Sequence, residues 1–335
     1  MRAQFAAGVT ISILCLWIAF RNVDLHTLGV ALGAANYWWL LAYPVLGVAL
    51  NLIRAEIWRI MLRKRTTVSE AFWAYSVGFL VNNVLPFRLG EAARVATLAV
   101  RSRLPIVEVA AAAGIERVLD LIAVLSILVA TLPFLVRSAD VEHATLATAI
   151  MVVVALAGMT VVIAAREPLD RLVRMLAERL VPSRTEMIAA RWRELSEGLA
   201  VIARPAIALQ VVIGAAMVWV LTIVLQWTVL HAFQPLAQPI DAAVMVGIVS
   251  IASAVPAAPG SLGTYQWIGR AALATAFPAR YTPTTALAIA LVSHAASYIF
   301  STLLGLCGLW YCGVSLASLR GTVRGAQVAL PDRAT

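Results

Sequence analysis

Apolar residues along this chain do not alternate with polar ones. They form uninterrupted stretches of membrane length separated by short basic segments. About 20 mostly apolar residues suffice to cross a hydrocarbon layer of roughly 30 Å. Runs of that kind at 3–20, 37–53, 119–136, 144–165, 206–230 and 286–314 therefore predict six transmembrane helices. Arg2 ahead of the first run would suit a signal peptide, but no small-x-small cleavage site follows, so the run reads as an uncleaved anchor.

Two further apolar stretches, 71–85 and 242–255, are shorter and end abruptly. The first meets Pro86, Phe87, Arg88, Leu89, Gly90 and Glu91; the second meets Pro256, Ala257, Ala258, Pro259, Gly260, Ser261, Leu262 and Gly263. Each break is followed by another helical stretch. Proline and glycine at membrane depth leave backbone groups unpaired, which is tolerated where that backbone is buried in protein or lines a wet cavity. The pattern predicts two re-entrant helical hairpins, over 70–101 and 242–277, with two kinked ordinary spans as the alternative. Turn prolines in hairpins entering from opposite faces suggest an inverted-topology repeat. The expected fold is an all-α polytopic integral membrane protein: one domain over 1–320, an amphipathic surface segment at 166–204, and a short cytoplasmic tail at 321–335.

Composition agrees. The chain has 335 residues, 62% hydrophobic and 13% charged, where a soluble domain has roughly 45–50% and 25%. Too few polar residues are available to cover a water-soluble core of that size. The net charge is +9, and nucleic acid is not the inference, because basic excess in a membrane protein first reflects cytoplasmic loops. With the N-terminus inside and the hairpins entering from opposite faces, every basic residue except Arg21, Arg137, Arg270 and Arg280 falls on the cytoplasmic side. One extra crossing at either hairpin destroys that bias. Both termini are therefore expected in the cytoplasm.

Enzyme signatures are missing from the sequence. The single lysine, Lys64, is followed by Arg65, so no P-loop is encoded. There is no HExxH helix and no GxSxG elbow, and His26, His143, His231 and His294 lack ligand spacing. Cys15, Cys307 and Cys312 lie in apolar runs and read as packing residues. No metal, cofactor or catalytic residue is expected.

What remains is polar chemistry where hydrophobic residues would be cheaper. Arg54, with Asn51, Glu56 and Arg59, sits at a cytoplasmic helix end, where it either simply meets lipid phosphate or takes part in binding a lipid headgroup. Asn82, Asn83, Pro86, Arg88, Gly90, Glu91 and Arg94 surround the first hairpin turn. A helix starting there aims N–H groups and a positive dipole end at the turn; Arg88 and Arg94 suit a phosphate, and Glu91 caps, pairs, or receives a cation. Glu116 and Asp120, one helical turn apart with Arg117 beside them, point inward as an ion-pair network or a substrate groove. Pro256, Gly260, Gly263 and Gln266 mark a charge-free second turn, an anion site or a packing surface, and Ser293 and His294 lie in the last run.

The order of "NLIRAEIWRIML", "VNNVLPFRLGEAARV", "GIERVLDLIAVL" and "VPAAPGSLGTYQWIGRAAL" resembles the lysylphosphatidylglycerol synthase transmembrane, or flippase-like, family over most of the chain, without the soluble aminoacyl-transferase domain of its two-domain members. The resemblance implies a protein of the bacterial cytoplasmic membrane that moves a polar lipid between leaflets: an anionic or aminoacylated phospholipid, a hopanoid, or a polyprenol-linked sugar. Its expected partners are membrane lipids, with a second copy or a lipid-synthesis enzyme as further candidates. A lipid-modifying transferase and a non-transporting scaffold are the rival classes. Family members usually carry glycine and glutamate where this chain has Ser261 and Gln266.

Overall fold

The computed structural model describes residues 2–21, 23–85, 89–132, 146–148, 150–151, 153–154, 157–158, 165–252 and 259–313. Among the described residues every regular element is helical. Helices α1 (Arg2–Phe20) and α2 (Leu25–Gly33) follow one another at a sharp bend, 84° between Thr10–Phe20 and α2. Asp24 starts α2 by accepting the Thr27 N–H at 2.8 Å. A short 3-10 helix, Tyr37–Leu41, leads into α3 (Ala42–Met61). Next come α4 (Val68–Val84), α5 (Gly90–Ser102) and α6 (Ile106–Thr131), then α7 (Arg166–Leu180) and α8 (Thr185–Leu199). The chain continues through α9 (Pro205–Phe233), α10 (Pro239–Ala252), α11 (Thr264–Ala276) and α12 (Pro283–Cys312).

Local chemistry explains the starts. Thr67 and Glu70 form a capping box at α4, each side chain accepting the other's backbone N–H, at 3.1 and 2.9 Å. Pro205 and Pro283 occupy first helical positions, where a missing N–H is harmless.

Among the described residues three stretches are long and apolar enough to cross a membrane: Tyr37–Met61, α9 and α12, with the bent α1–α2 pair a fourth if it is one span. The helix expected at 37–53 extends to Met61, which draws Arg54 and Arg59 into it. The helix expected from 119 starts already at Ile106 and carries Glu116, Arg117 and Asp120 along its length. The expected span at 144–165 lies largely outside the described residues, as do 133–136 and the tail. The amphipathic segment at 166–204 is two helices, α7 and α8, joined by the short turn Pro182–Arg184, with the Trp192 indole donating to Asp170.

Both broken stretches form helical hairpins. Helices α4 and α5 run antiparallel: Ser102 donates to Glu70 at 3.4 Å at one end, and the Gly90 N–H to Asn82 at 2.8 Å at the other. Helices α10 and α11 pair likewise, with Met245 against Gly269. Each hairpin has its own apolar core. The first gathers Trp58, Tyr75, Leu98, Ile115 and Val218; the second gathers Leu230, Met245, Leu273, Tyr281 and Ile289. Helix α9 reaches both, with Val218 in one and Leu230 in the other.

Helix α12 also touches both hairpins, and small residues permit it. In lipid, helices associate by close packing rather than by hydrophobic exclusion, so glycine at a contact is favoured. A Cβ on Gly305 would lie 2.7 Å from the Ser76 carbonyl, and one on Gly269 would lie 3.1 Å from the Ala290 Cβ. Gly305→Ala is therefore expected to cost about 1–3 kcal/mol through overpacking, read as a lower unfolding temperature of the detergent-solubilised chain. Gly114→Ala, inside α6 where a Cβ meets nothing within 4 Å, should hold or slightly raise that temperature, since alanine favours a helix interior. Equal effects would contradict the α4–α12 contact.

Candidate functional site

Arg54 leaves α3 facing inward, into the space between the first hairpin and α6, rather than toward lipid. Its guanidinium lies 2.5 Å from Glu116 and 3.5 Å from Asp120. From α5, Arg94 reaches Glu116 at 3.0 Å and Glu91 at 2.5 Å. Arg117 then closes the figure, 3.5 Å from Glu91 and 3.4 Å from Asp120. The result is a six-membered ring of alternating sign: Arg54, Glu116, Arg94, Glu91, Arg117, Asp120 and back to Arg54. Each carboxylate touches two arginines and each arginine two carboxylates, so the ring is neutral as a unit.

The ring is not uniform. Arg94 and Glu116 have side-chain exposures of only 3% and 6%, whereas Glu91 and Arg117 reach 36% and 46%. Glu116 and Arg94 make the short contacts, at 2.5–3.0 Å, whereas Arg117 on the exposed side makes only long ones, at 3.4–3.5 Å, as does the Arg54–Asp120 pair at 3.5 Å. Aromatic groups hold the buried side. Arg94 lies over the Trp58 and Tyr75 rings, at 5.0 and 4.7 Å to their centroids. The Trp58 indole donates to Glu116 at 2.9 Å, and that of Trp219 to Asp120 at 3.0 Å. The Nε atoms of Arg54 and Arg94 are buried without a hydrogen-bond partner, and Arg94 NH2 is close to two carboxylates without aligning an N–H to either.

Gly90 and Asn82 hold the hairpin shut beside the ring. A Cβ on Gly90 would strike the Gly78 carbonyl and the Asn82 side chain, and the Gly90 N–H is already taken by Asn82. The first donor of α5 is thus engaged, unlike that of a bare helix start. Asn83 points the other way, donating to Ser301 and Thr302 on α12 at 2.9 and 3.0 Å, while Tyr298 donates to its carbonyl at 3.1 Å.

The second turn reaches α12 as well, at the same Tyr298. Gly260 packs on Tyr298, and a Cβ there would lie 3.7 Å from the Asn83 carbonyl, so the ends of the two hairpins are neighbours. A neutral relay fixes this turn. The Gly263 N–H donates to Gln266 Oε1 at 2.7 Å, Gln266 Nε2 lies 2.7 Å from His294 Nδ1, and His294 Nε2 lies 2.8 Å from the Gly260 carbonyl. Here too the N–H of the expected anion site is occupied.

Of the residues singled out from the sequence, Arg54, Glu91, Arg94, Glu116, Arg117 and Asp120 come together in the ring. Asn82 and Gly90 brace it, and Asn83, Gly260, Gly263 and Gln266 belong to the α12 side. Pro86, Arg88 and Pro256 lie outside the described residues. Among the described residues no group of His, Cys, Asp or Glu could hold a metal.

Sequence reasoning missed Trp58 and Trp219, although Trp58 follows Arg54 by one helical turn, a spacing that puts both on one face. It also missed Asp241, wholly buried, 2.8 Å from Arg280 and accepting from the Tyr281 hydroxyl at 2.8 Å; an acid just before the apolar stretch at 242–255 was the available signal. Arg270, counted above only as an outer-face charge, donates to the Ala19, Ile18 and Arg21 carbonyls at 2.6, 3.1 and 3.2 Å, closing the end of α1. Charge-assisted hydrogen bonds contribute roughly 1.5–3 kcal/mol. Arg270→Ala should accordingly raise amide hydrogen exchange near the end of α1 and leave α4 and α5 protected; unchanged exchange there would refute the cap.

No curated protein and no solved structure matches the chain. The family model of the lysylphosphatidylglycerol synthase TM region matches residues 5–305. Together with the long apolar helices, that match means the chain belongs to this family, a family of membrane proteins in lipid metabolism or translocation.

Proposed function

We propose that the chain is a lipid translocase, carrying a polar or charged headgroup between leaflets while the acyl chains stay in hydrocarbon. In this reading six helices span the bacterial cytoplasmic membrane, the two hairpins are re-entrant, and both termini are cytoplasmic. The supporting observation is the alternating ring, closed on its buried side and open at Glu91 and Arg117. Burying an ion costs several kcal/mol even after relaxation. Fixed charges of both signs lower that cost, because a headgroup exchanges one ionic contact for another instead of losing its hydration uncompensated. The ring binds and releases; it makes and breaks no covalent bond. Direction then comes from an ion gradient, a partner, or consumption of the lipid on the far side, since equal affinity for both states shifts nothing.

The test is a leaflet assay in proteoliposomes with acyl-labelled phospholipid and a membrane-impermeant quencher. Expected is a faster loss of the protected pool than in protein-free vesicles, slowed about tenfold by Arg117→Ala, equivalent to about 1.4 kcal/mol. Rates equal to those of empty vesicles would end the translocase reading. A new lipid species by mass spectrometry would replace it with a transferase.

A further inference from the structure

The ring is neutral and alternating, and that restricts which headgroup can enter it. A ligand reaches the ring from its exposed side, where Arg117 makes its two long contacts, to Glu91 at 3.5 Å and to Asp120 at 3.4 Å. Opening either contact leaves one positive and one negative terminus. A lone phosphate placed there satisfies Arg117 and sets its own charge against a carboxylate. A lone amine satisfies the carboxylate and faces Arg117. A phosphate and an amine in the same headgroup satisfy both: phosphate on Arg117, amine on Glu91 or Asp120, with the sign still alternating around an enlarged ring. A headgroup with two amines per phosphate again leaves one cation beside an arginine.

We propose that the ring of Arg54, Glu91, Arg94, Glu116, Arg117 and Asp120 selects a zwitterionic headgroup, one phosphate ester and one amine, over headgroups bearing phosphate alone or two cations per phosphate. Both long contacts on the exposed side share Arg117, whereas the third, Arg54 to Asp120 at 3.5 Å, joins two side chains only 14% exposed, so Arg117 takes the phosphate whichever outer contact opens. Asp120 is held in place by the Trp219 indole at 3.0 Å, and Glu91 by Arg94 at 2.5 Å, so the acceptor of the amine is preorganised. The buried contacts of Arg54 and Arg94 with Glu116, at 2.5 and 3.0 Å, stay closed and keep the three helices together while the outer side exchanges partners. The reach of this selectivity into transport rests on the translocase reading; its reach into binding does not.

The experiment therefore has a binding arm and a transport arm, both on the full chain. In the first, glycerophosphoethanolamine, glycerol phosphate and ethanolamine are each titrated into detergent-solubilised protein and the unfolding temperature is followed, since a ligand of the folded state raises it by mass action. The zwitterion should protect at about a tenfold lower concentration than either single-charge compound. In Glu91→Gln and Asp120→Asn, which make the ring net positive, glycerol phosphate should gain on it. Equal protection by glycerol phosphate, no protection by any compound, or an order unchanged in both variants would overturn the proposal. In the second arm, acyl-labelled phosphatidylethanolamine and phosphatidylglycerol are compared in the leaflet assay, with the former expected to move faster. Zwitterion-selective binding with no transport of either lipid upholds the proposal and overturns the translocase reading alone.

Discussion

Replacing Glu116 by glutamine should unfold this protein more readily than any other single conservative change in the ring. One carboxylate oxygen lies 2.5 Å from Arg54; the other receives the Trp58 indole at 2.9 Å and lies 3.0 Å from Arg94. An amide has one acceptor end and one donor end. Turned either way, its NH2 confronts a guanidinium, and two cations in a poorly solvated site lose the charge between them. Removing one partner of a buried ion pair costs about 3–5 kcal/mol, a large part of the roughly 5–15 kcal/mol that holds a typical domain together. The contrast is Arg117→Ala. Its side chain is 46% exposed with long contacts, and exposed pairs contribute about 0–1 kcal/mol, so this variant should keep its unfolding temperature while transport slows about tenfold. Adding Arg54→Met to Glu116→Gln should recover part of the lost stability, since contacting residues are not additive. Unfolding temperatures in detergent decide the matter: a Glu116→Gln protein as stable as the parent would mean that the ring is not closed as described.

How much of this was written in the sequence divides by the range of the interaction. Apolar run length marked where helices lie, though those expected at 37–53 and from 119 run longer, and proline with glycine marked the breaks between α4 and α5 and between α10 and α11, because each signal is local. The charges of the ring were also visible as charges, being expensive beside apolar runs. Their closure was not, since it depends on α3, α5 and α6 meeting at one point. Arg54 illustrates the gap. By position it sat at a helix end, where an arginine ordinarily reaches lipid phosphate; α3 instead runs on to Met61, about two turns further, and holds the guanidinium between the buried Glu116 and the half-buried Asp120. The glycines misled for a related reason. A helix start rich in glycine reads as a row of free donors, yet Asn82 and Gln266 each spend their side-chain oxygen on the first N–H, and nothing short of the packed turn reveals that. Asp241 and Arg270 were legible only as charges, because their partners lie in the chain at distances no periodicity encodes.

Gln266 gives the second large effect, and here the direction depends on pH. The Gly260 carbonyl can only accept, so His294 Nε2 carries the proton facing it and Nδ1 is left as an acceptor for the Gln266 NH2; the hydrogen-bond network fixes this tautomer. The amide supplies what both neighbours need, an acceptor for the Gly263 N–H and a donor for the imidazole. Gln266→Leu removes both and strands two polar groups in a site only 4% exposed, at about 1–3 kcal/mol each, a loss that should be the same at acid and neutral pH. Gln266→Glu behaves differently. A carboxylate still accepts from Gly263, but its second oxygen meets a lone pair on Nδ1 unless the pair takes up a proton, on the carboxyl or on the imidazole. The folded variant then binds one proton more than the unfolded chain, and such a state is stabilised at low pH and loses that advantage as pH rises through the histidine range. Relative to the parent, Gln266→Glu should therefore be nearly as stable at about pH 5.5 and clearly weaker at about pH 8, on either side of the ordinary histidine value. A Gln266→Glu protein whose stability tracks the parent at both pH values would show that the turn is not held through this relay.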